Sequence, residues 1–375
     1  MTAQRRLEAP HRRLEPGSRA FERLVVAGYK AFGWLVSHLP PGPPAFVLAR
    51  GAQLSYLLWP TKRRWSNANF GHVLGLPAGD PLVRTTALKA YATYGRYLVE
   101  VARLPRLARD HADSLVPGAD LDALHRIWEE SRGGLIFTLG HVGNAEAVAA
   151  GVASRGWPIN VVADDSSFPG LFEEFRRTRE QWGVHVIPWR NLREIYTVLR
   201  RREMLALLID WGYRADGIPV RMFDAWTTLP AGPASLAAKT DSRILPITLH
   251  RNEDRATFSI TWDAPISVEA GDPASIQRAT QAMADAFAAS VAPAPEQWYS
   301  FKPIWPMDPA ESEALATRAA GMLAGHLAPA AAGSDPTPDA AAGIDPAPEA
   351  AAGSPSDAGP GPTRDAAPGP GQVPG

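Results

Sequence analysis

Gly134-Leu135-Ile136-Phe137-Thr138-Leu139, running on into Gly140-His141-Val142-Gly143-Asn144-Ala145-Glu146, is the stretch that decides the fold. The first half is apolar on both alternations and reads as a strand buried on both faces. The small residues from Ala145 to Ser154 read as a helix. His141 therefore sits between the end of a strand and the start of a helix, in the crevice where open α/β sheets bind ligands. On a regular helix His141 and Glu146 would lie about 140° apart. They converge only if His141 occupies the turn before the helix, which Gly140 and Gly143 permit. An imidazole beside a carboxylate is the pairing a general base needs, because the acid selects the tautomer and stabilises the imidazolium. Taken alone, a histidine and an acid five residues apart is a short pattern, and a turn histidine bonded to a backbone carbonyl has the same one.

Working outward, strands and helices alternate. Strand 134–139 leads to helix 142–154, strand 158–163 to helix 168–182, and strand 184–188 to helix 191–202. Strand 204–210 leads to a turn, and an extended segment 217–223 to helix 230–240. Strands 243–250 and 257–263 lead to helix 273–290. This order predicts an α/β sandwich with a mostly parallel central sheet and an antiparallel portion late in the chain. Upstream, Leu88, Tyr91, Tyr94, Leu98 and Val101 mark an amphipathic helix over 83–104, with Pro105 expected to end it. Met204-Leu205-Ala206-Leu207-Leu208-Ile209 is a second wholly apolar strand. Asp210 ends it, so by the same strand-end logic Asp210 also faces the crevice.

The two ends of the chain differ in charge, which the formal net of −1 conceals. Residues 1–64 carry eleven cations against Glu8, Glu15 and Glu22, a net of +8. Phe21, Leu24, Val25, Gly28, Phe32, Leu35, Val36 and Leu39 recur at helical spacing. Residues 31–49 contain no Asp, Glu, Lys or Arg, but Pro40, Pro41, Pro43 and Pro44 prevent a continuous spanning helix. Two N-terminal amphipathic helices around a Pro-Gly turn are expected instead, the second from Ala45 to Trp59, lying on an anionic membrane surface. The cations are interleaved with apolar helix rather than with a stacking platform, so no nucleic acid is expected as partner. From Ala328 onward the chain is Ala, Pro, Gly, Ser and Asp with a ten-residue quasi-repeat, and six acids face Arg364 alone. It buries too little apolar surface to offset its ordering entropy and is expected as a disordered C-terminal tail. The organisation expected is a basic membrane-association segment 1–64, an α/β core 65–306, a terminal helix 307–327 and the tail 328–375.

Several classes are excluded. There are no cysteines, hence no disulfides and no thiol or Cys-metal chemistry. The histidines lack metal-ligand spacing, so no metal is expected. No Gly-x-Ser-x-Gly elbow, P-loop or dinucleotide fingerprint occurs, which argues against a serine hydrolase, a kinase and a dehydrogenase.

The His-x-Gly-Asn-x-Glu block after a Gly-Gly-apolar strand resembles the lysophospholipid and lipid A type acyltransferases, the family that includes lipid A late acyltransferases and phosphatidylinositol mannoside acyltransferases. The resemblance continues in order. Phe175 to Pro188, with Arg179 and Gly183, is similar to that family's Arg-x3-Gly segment. Gly217 to Val220, Met222-Phe223 and Thr228 to Ala237 are similar to its second signature, and Leu245-Pro246 and Pro295-Glu296-Gln297-Trp298 to its late features. Roughly residues 20 to 306 are covered. The resemblance implies that an acid at the place of Asp210 pairs with the histidine in the mannoside-acylating branch, so Glu146 and Asp210 compete to orient His141. It also singles out Arg179, which would hold an anionic headgroup or donor phosphates. Asn144, Arg179, Thr228, Gly232 and Ser235 form the expected substrate-binding set, the last three read as opening a helix whose N–H groups face a phosphate or an oxyanion. The chain departs from the family pattern at Ala145, Gly212, Phe223-Asp224 and Asp241, which points to an acceptor pocket of its own.

What the resemblance implies is a peripheral or monotopic O-acyltransferase at the cytoplasmic face of the cell membrane. It would move a long acyl chain from acyl-CoA or acyl carrier protein to a hydroxyl of a glycolipid or lysophospholipid, with His141 as base. The thioester is the donor substrate and no cofactor is expected. The competing reading is a catalytically inactive lipid-binding protein of the same fold.

Overall fold

The structure, a computed structural model, describes residues 16–325 apart from 119, 165–168 and 253–256. The expected tail 328–375, and the first fifteen residues of the basic segment, lie outside the described residues.

The described residues open with the helices α1 (Pro16–His38), α2 (Gly42–Leu58), α3 (Pro60–Leu74) and α4 (Pro81–His111). Each break falls at proline or glycine. Pro41 precedes α2, Pro60 opens α3, and Gly75 in the left-handed conformation closes it. Among the described residues no helix is long and apolar enough to cross a membrane. The expected end of the fourth helix at Pro105 is not observed, since α4 continues through it to His111. The missing N–H costs one backbone bond, but Val99, Ala102 and Leu104 are buried just before it. Arg103 donates to the carbonyls of Val36 (2.7 Å) and Leu39 (2.5 Å), and Arg106 to that of Ser37. These bonds satisfy the last turn of α1 and fasten the helix on both sides of the proline. Helix α3 was not anticipated; it is weakly amphipathic. Helix α5 (Leu121–Glu129), capped by the Asp120 side chain on the Ala123 N–H, was not anticipated either.

The α/β alternation then runs much as expected: β1 (Leu135–Leu139), α6 (Ala145–Ala153), β2 (Ile159–Ala163), α7 (Pro169–Glu180), β3 (Val184–Pro188), α8 (Leu192–Arg200) and β4 (Met204–Leu208). Next come β5 (Ile218–Met222) and β6 (Ala225–Leu229), which pair antiparallel. Only the first of these was anticipated, because Phe223 and Asp224 are not the Asn-Gly type of signal. Both adopt positive φ, as a two-residue hairpin turn requires. The described residues end with α9 (Gly232–Thr240), β7 (Arg243–Arg251), β8 (Phe258–Trp262), α10 (Pro273–Val291) and α11 (Pro309–Leu323).

The main sheet has the order β3-β2-β4-β1-β7-β8, parallel except for β8 on β7. It is the expected α/β sandwich, and its period-two alternation sorts side chains between two cores. Leu135, Phe137 and Leu139 of β1, Met204 of β4 and Leu245 of β7 face α5, α6 and the end of α4. Ile136, Leu205, Ile209 and Ile244 face α8, α9, α10 and the β5–β6 hairpin. Strands β1 and β4 are central neighbours in register, Leu139 opposite Leu208, and the Ile209 N–H continues the ladder to the Leu139 carbonyl. The residues just past those two ends therefore emerge side by side.

Candidate active site

Those residues are His141 and Asp210. The His141 backbone N–H donates to Asp210 Oδ2 (2.9 Å), and His141 Nδ1 lies 2.7 Å from Oδ1. A carboxylate only accepts, so Nδ1 carries the hydrogen and Nε2 is the basic ring nitrogen. The Asp210 side chain is fully buried, whereas that of His141 is 26% exposed. Burial works to raise the Asp210 pKa, but the charge of His141 and hydrogen bonds from His141 and Trp298 outweigh it and hold the carboxyl below its ordinary value. The dyad thus has a dry, ionised end and an imidazole that reaches the crevice.

The turn that makes this possible needs its glycines. A Cβ on Gly140 would lie 2.2 Å from a Phe287 ring carbon and 3.0 Å from Asp210 Oδ2. Gly143 has φ +64° and would drive a Cβ to 2.4 Å from the Leu249 carbonyl oxygen. Asn144 then caps α6, its Oδ1 accepting from the Ala147 N–H, and its amide donates to Glu100 of α4. Asn144 is 1% exposed, and through these two bonds it shapes the loop between β1 and α6.

Glu146 is drawn elsewhere. In the first turn of α6, it receives a bidentate pair from Arg179 of α7, Nε to Oε2 at 2.8 Å and Nη2 to Oε1 at 2.7 Å. Both side chains are largely buried. Burial disfavours the Arg179 charge, yet Glu146 more than offsets it and raises the guanidinium pKa. Tyr29 and Tyr97 flank the pair, and burial pushes both phenols up, Tyr29 to about 12. Arg176 instead pairs with Glu173 and Glu180 on the half-exposed face of the same helix. Of the two acids that compete for His141, Asp210 is the one in contact, and Glu146 holds Arg179.

The remaining expected site residues lie on β6 and α9. Thr228 does not open a helix: it is the fourth residue of β6, and its hydroxyl bonds the backbone N–H and carbonyl of Arg214. The strand persists there because Thr228 pairs with Pro219 across the hairpin. Gly232 and Ser235 do lie in the first turn of α9, whose N-cap is Ala231; no side-chain bond caps it. Among the described residues no group of three His, Asp or Glu could hold a metal ion.

Sequence reading passed over a brace that arrives from the far end of the chain. Trp298 Nε1 donates to Asp210 Oδ2 (2.8 Å), the Tyr299 N–H to the His141 carbonyl (2.8 Å), and the Gly143 N–H to the Gln297 carbonyl (3.1 Å). The Tyr299 hydroxyl donates to the Gly143 carbonyl. Behind it, Arg251 at the end of β7 forms a bidentate pair with Glu100, 2.8 and 2.7 Å. The one signal for this brace was the Pro295-Glu296-Gln297-Trp298 block, and nothing in its spacing connects it with His141.

A buried acid paired with a histidine at the carboxyl edge of a parallel sheet defines an α/β protein with a His–Asp dyad at the crevice. The chain belongs to the bacterial lipid A biosynthesis acyltransferase family, whose model matches residues 16–306. It is 28% identical over 290 residues to the phosphatidylinositol mannoside acyltransferase of Mycolicibacterium smegmatis, covering 75% of this chain and 91% of that protein. To the protein of the same name from Mycobacterium tuberculosis it is 31% identical over 258 residues, 65% of this chain and 77% of the relative. The family suspected from the motifs is thereby established, and the chain is an acyltransferase by family.

Proposed function

We propose that this protein transfers a long acyl chain from a thioester, acyl-CoA or acyl carrier protein, to a hydroxyl of a membrane glycolipid. The names of its relatives favour a mannosylated phosphatidylinositol as acceptor. The observation that carries this reading is the His141–Asp210 dyad: a buried ionised acid on Nδ1 leaves Nε2 as a base at the crevice. Nε2 takes the acceptor's hydroxyl proton as its oxygen attacks the thioester carbonyl carbon. The tetrahedral intermediate then collapses by breaking the carbon–sulfur bond. The imidazolium, held by Asp210, returns the proton to the departing sulfur, and no acyl-enzyme forms. Arg179, fixed by Glu146, is the candidate to hold phosphate charge on donor or acceptor.

The reaction is proposed to run on an anionic membrane surface, at the cytoplasmic face. Val36 and half-buried Val25 and Phe32 turn α1 inward, while Leu24, Trp34 and Leu35 point out; Phe46, Val47, Leu54 and Leu58 of α2 do the same. Leu24 is 69% exposed and Leu58 72%. So much exposed apolar surface on two successive helices suits the acyl boundary of a bilayer. Arg50, stacked on Phe46, and Lys62, stacked on Trp59 and Trp65, would meet anionic headgroups there.

The test is acyl transfer from palmitoyl-CoA to mannosylated phosphatidylinositol by His141→Ala and Asp210→Asn proteins. His141→Ala is expected to keep its fold and to lose roughly 10² or more in turnover. Asp210→Asn, which no longer selects the Nδ1–H tautomer, is expected to lose a similar factor. Near-normal turnover by a folded His141→Ala protein would overturn the mechanism. Lipid binding without thioester consumption by the wild type would leave a lipid-binding protein in its place.

A further inference from the structure

We infer that Trp298 is a positioning residue of the dyad: its indole N–H, donated to Asp210, sets how strongly Asp210 holds the imidazolium and hence the pH at which His141 becomes a base. The inference rests on the reading of His141 as that base. Asp210 Oδ1 takes the imidazole, while Oδ2 takes two donors, the His141 backbone N–H at 2.9 Å and Trp298 Nε1 at 2.8 Å. Two of those three donors belong to His141 itself. Trp298 is the one that comes from elsewhere in the chain, and with a fully buried carboxylate its effect is not diluted by bulk water.

The indole has little freedom to do otherwise. Trp298 is 0% exposed and meets Phe70, Phe287 and Trp305 edge-on, with ring centroids at 5.9, 5.9 and 6.4 Å. Its backbone pairs with Val142 in an isolated antiparallel bridge, and the neighbouring Tyr299 N–H holds the His141 carbonyl. The same short segment therefore grips His141 by its main chain and Asp210 by a side chain. A dyad is only as well aligned as the groups that hold it.

The sign follows from charge. Each donor disperses part of the carboxylate's negative charge, so removing one leaves Asp210 a stronger acceptor for the imidazolium. Losing the indole N–H thus moves the His141 titration to higher pH, and the acid limb of kcat/KM moves with it. A Trp298 that only filled the core would leave both where they are.

The experiment compares the wild type with Trp298→Phe and with 3-benzothienylalanine placed at position 298. The latter keeps the ring shape and puts sulfur where the N–H was, so it decides the matter if the smaller phenyl ring prevents folding. The His141 midpoint is read by NMR on protein carrying ¹³C-labelled histidine, the resonance being identified by its absence in His141→Ala. Acyl transfer from palmitoyl-CoA to mannosylated phosphatidylinositol is followed across pH. The expected result is an upward shift of about 0.5 unit or more in both the midpoint and the acid limb, with turnover down about tenfold. An unmoved midpoint and limb in the benzothienyl protein would refute the role of Trp298 while leaving His141 as base. Full activity in His141→Ala would refute the base itself, whereas the NMR midpoint would still report on Trp298.

Discussion

Replacing Glu146 with glutamine separates the two carboxylates by their consequences. Glu146 and Arg179 meet through two charge-assisted bonds of 2.8 and 2.7 Å, and their side chains are 14% and 7% exposed. A neutral amide leaves the guanidinium charge buried without a counter-charge, and breaking a buried pair in this way costs about 3–5 kcal/mol. That is a large part of the roughly 5–15 kcal/mol that holds a folded domain together. At about 2 °C per kcal/mol for a chain of this size, the unfolding midpoint falls by about 6–10 °C. Arg179→Met combined with Glu146→Leu removes both charges and is expected to recover most of the loss. The pair's coupling is then about 3 kcal/mol in a double-mutant cycle, read by urea unfolding followed through tryptophan fluorescence. Because Glu146 does not touch His141, the acid limb of the rate profile of Glu146→Gln stays at the wild-type pH, even where turnover drops through loosening of Arg179. A Glu146→Gln protein as stable as the wild type, or one with a displaced acid limb, would be evidence against this assignment.

Two further outcomes are expected. Leu24→Glu and Leu58→Glu, at exposed positions of α1 and α2, are expected to weaken binding to phosphatidylglycerol vesicles by about tenfold or more each without lowering the unfolding midpoint, since burying a leucine in the bilayer is worth about 1.5–3 kcal/mol; vesicle flotation checks it, and unchanged binding by both variants counts against the membrane face. Asp241, which closes α9 in the left-handed conformation at φ 53°, is expected to be improved by Asp241→Gly by about 0.5–1 kcal/mol, and a lower urea midpoint in that variant would contradict the capping argument.

The centre of the sheet was legible because β1 is buried along its whole length and its neighbour β4 is apolar on both faces. An uninterrupted apolar run such as 204–209 has few other homes than a central parallel strand, and the order of strands and helices did the rest. What escaped was carried by residues without a pattern of their own. Helix α3, Pro60–Leu74, has no clean apolar stripe: it buries Ser66, Asn69, Phe70 and Gly71, two of them polar. Asn69 earns its place by bonding the backbone at Lys302 and Ile304, over two hundred residues away. The proline at 105 misled for the opposite reason. A local rule says stop, and the tertiary bonds of Arg103 and Arg106 to the end of α1 say continue.

The site divides along the same line. His141 was legible because a strand end, two glycines and a helix start are local facts, and Asp210 followed from the same logic applied to the neighbouring strand. The choice between Asp210 and Glu146 turns on which strands are adjacent. With β4 beside β1 in parallel register, two residues past Leu208 and two past Leu139 must face one another. Glu146, by contrast, has already been carried into the first turn of α6, on the side where α7 delivers Arg179. A short sequence separation from the histidine was therefore a poor guide to proximity, and a shared sheet edge was the better one. The brace follows the same geometry at greater range. Antiparallel pairing at Val142 with Trp298 brings the indole N–H to the Asp210 carboxylate, a contact between residues 88 apart that only the assembled fold creates.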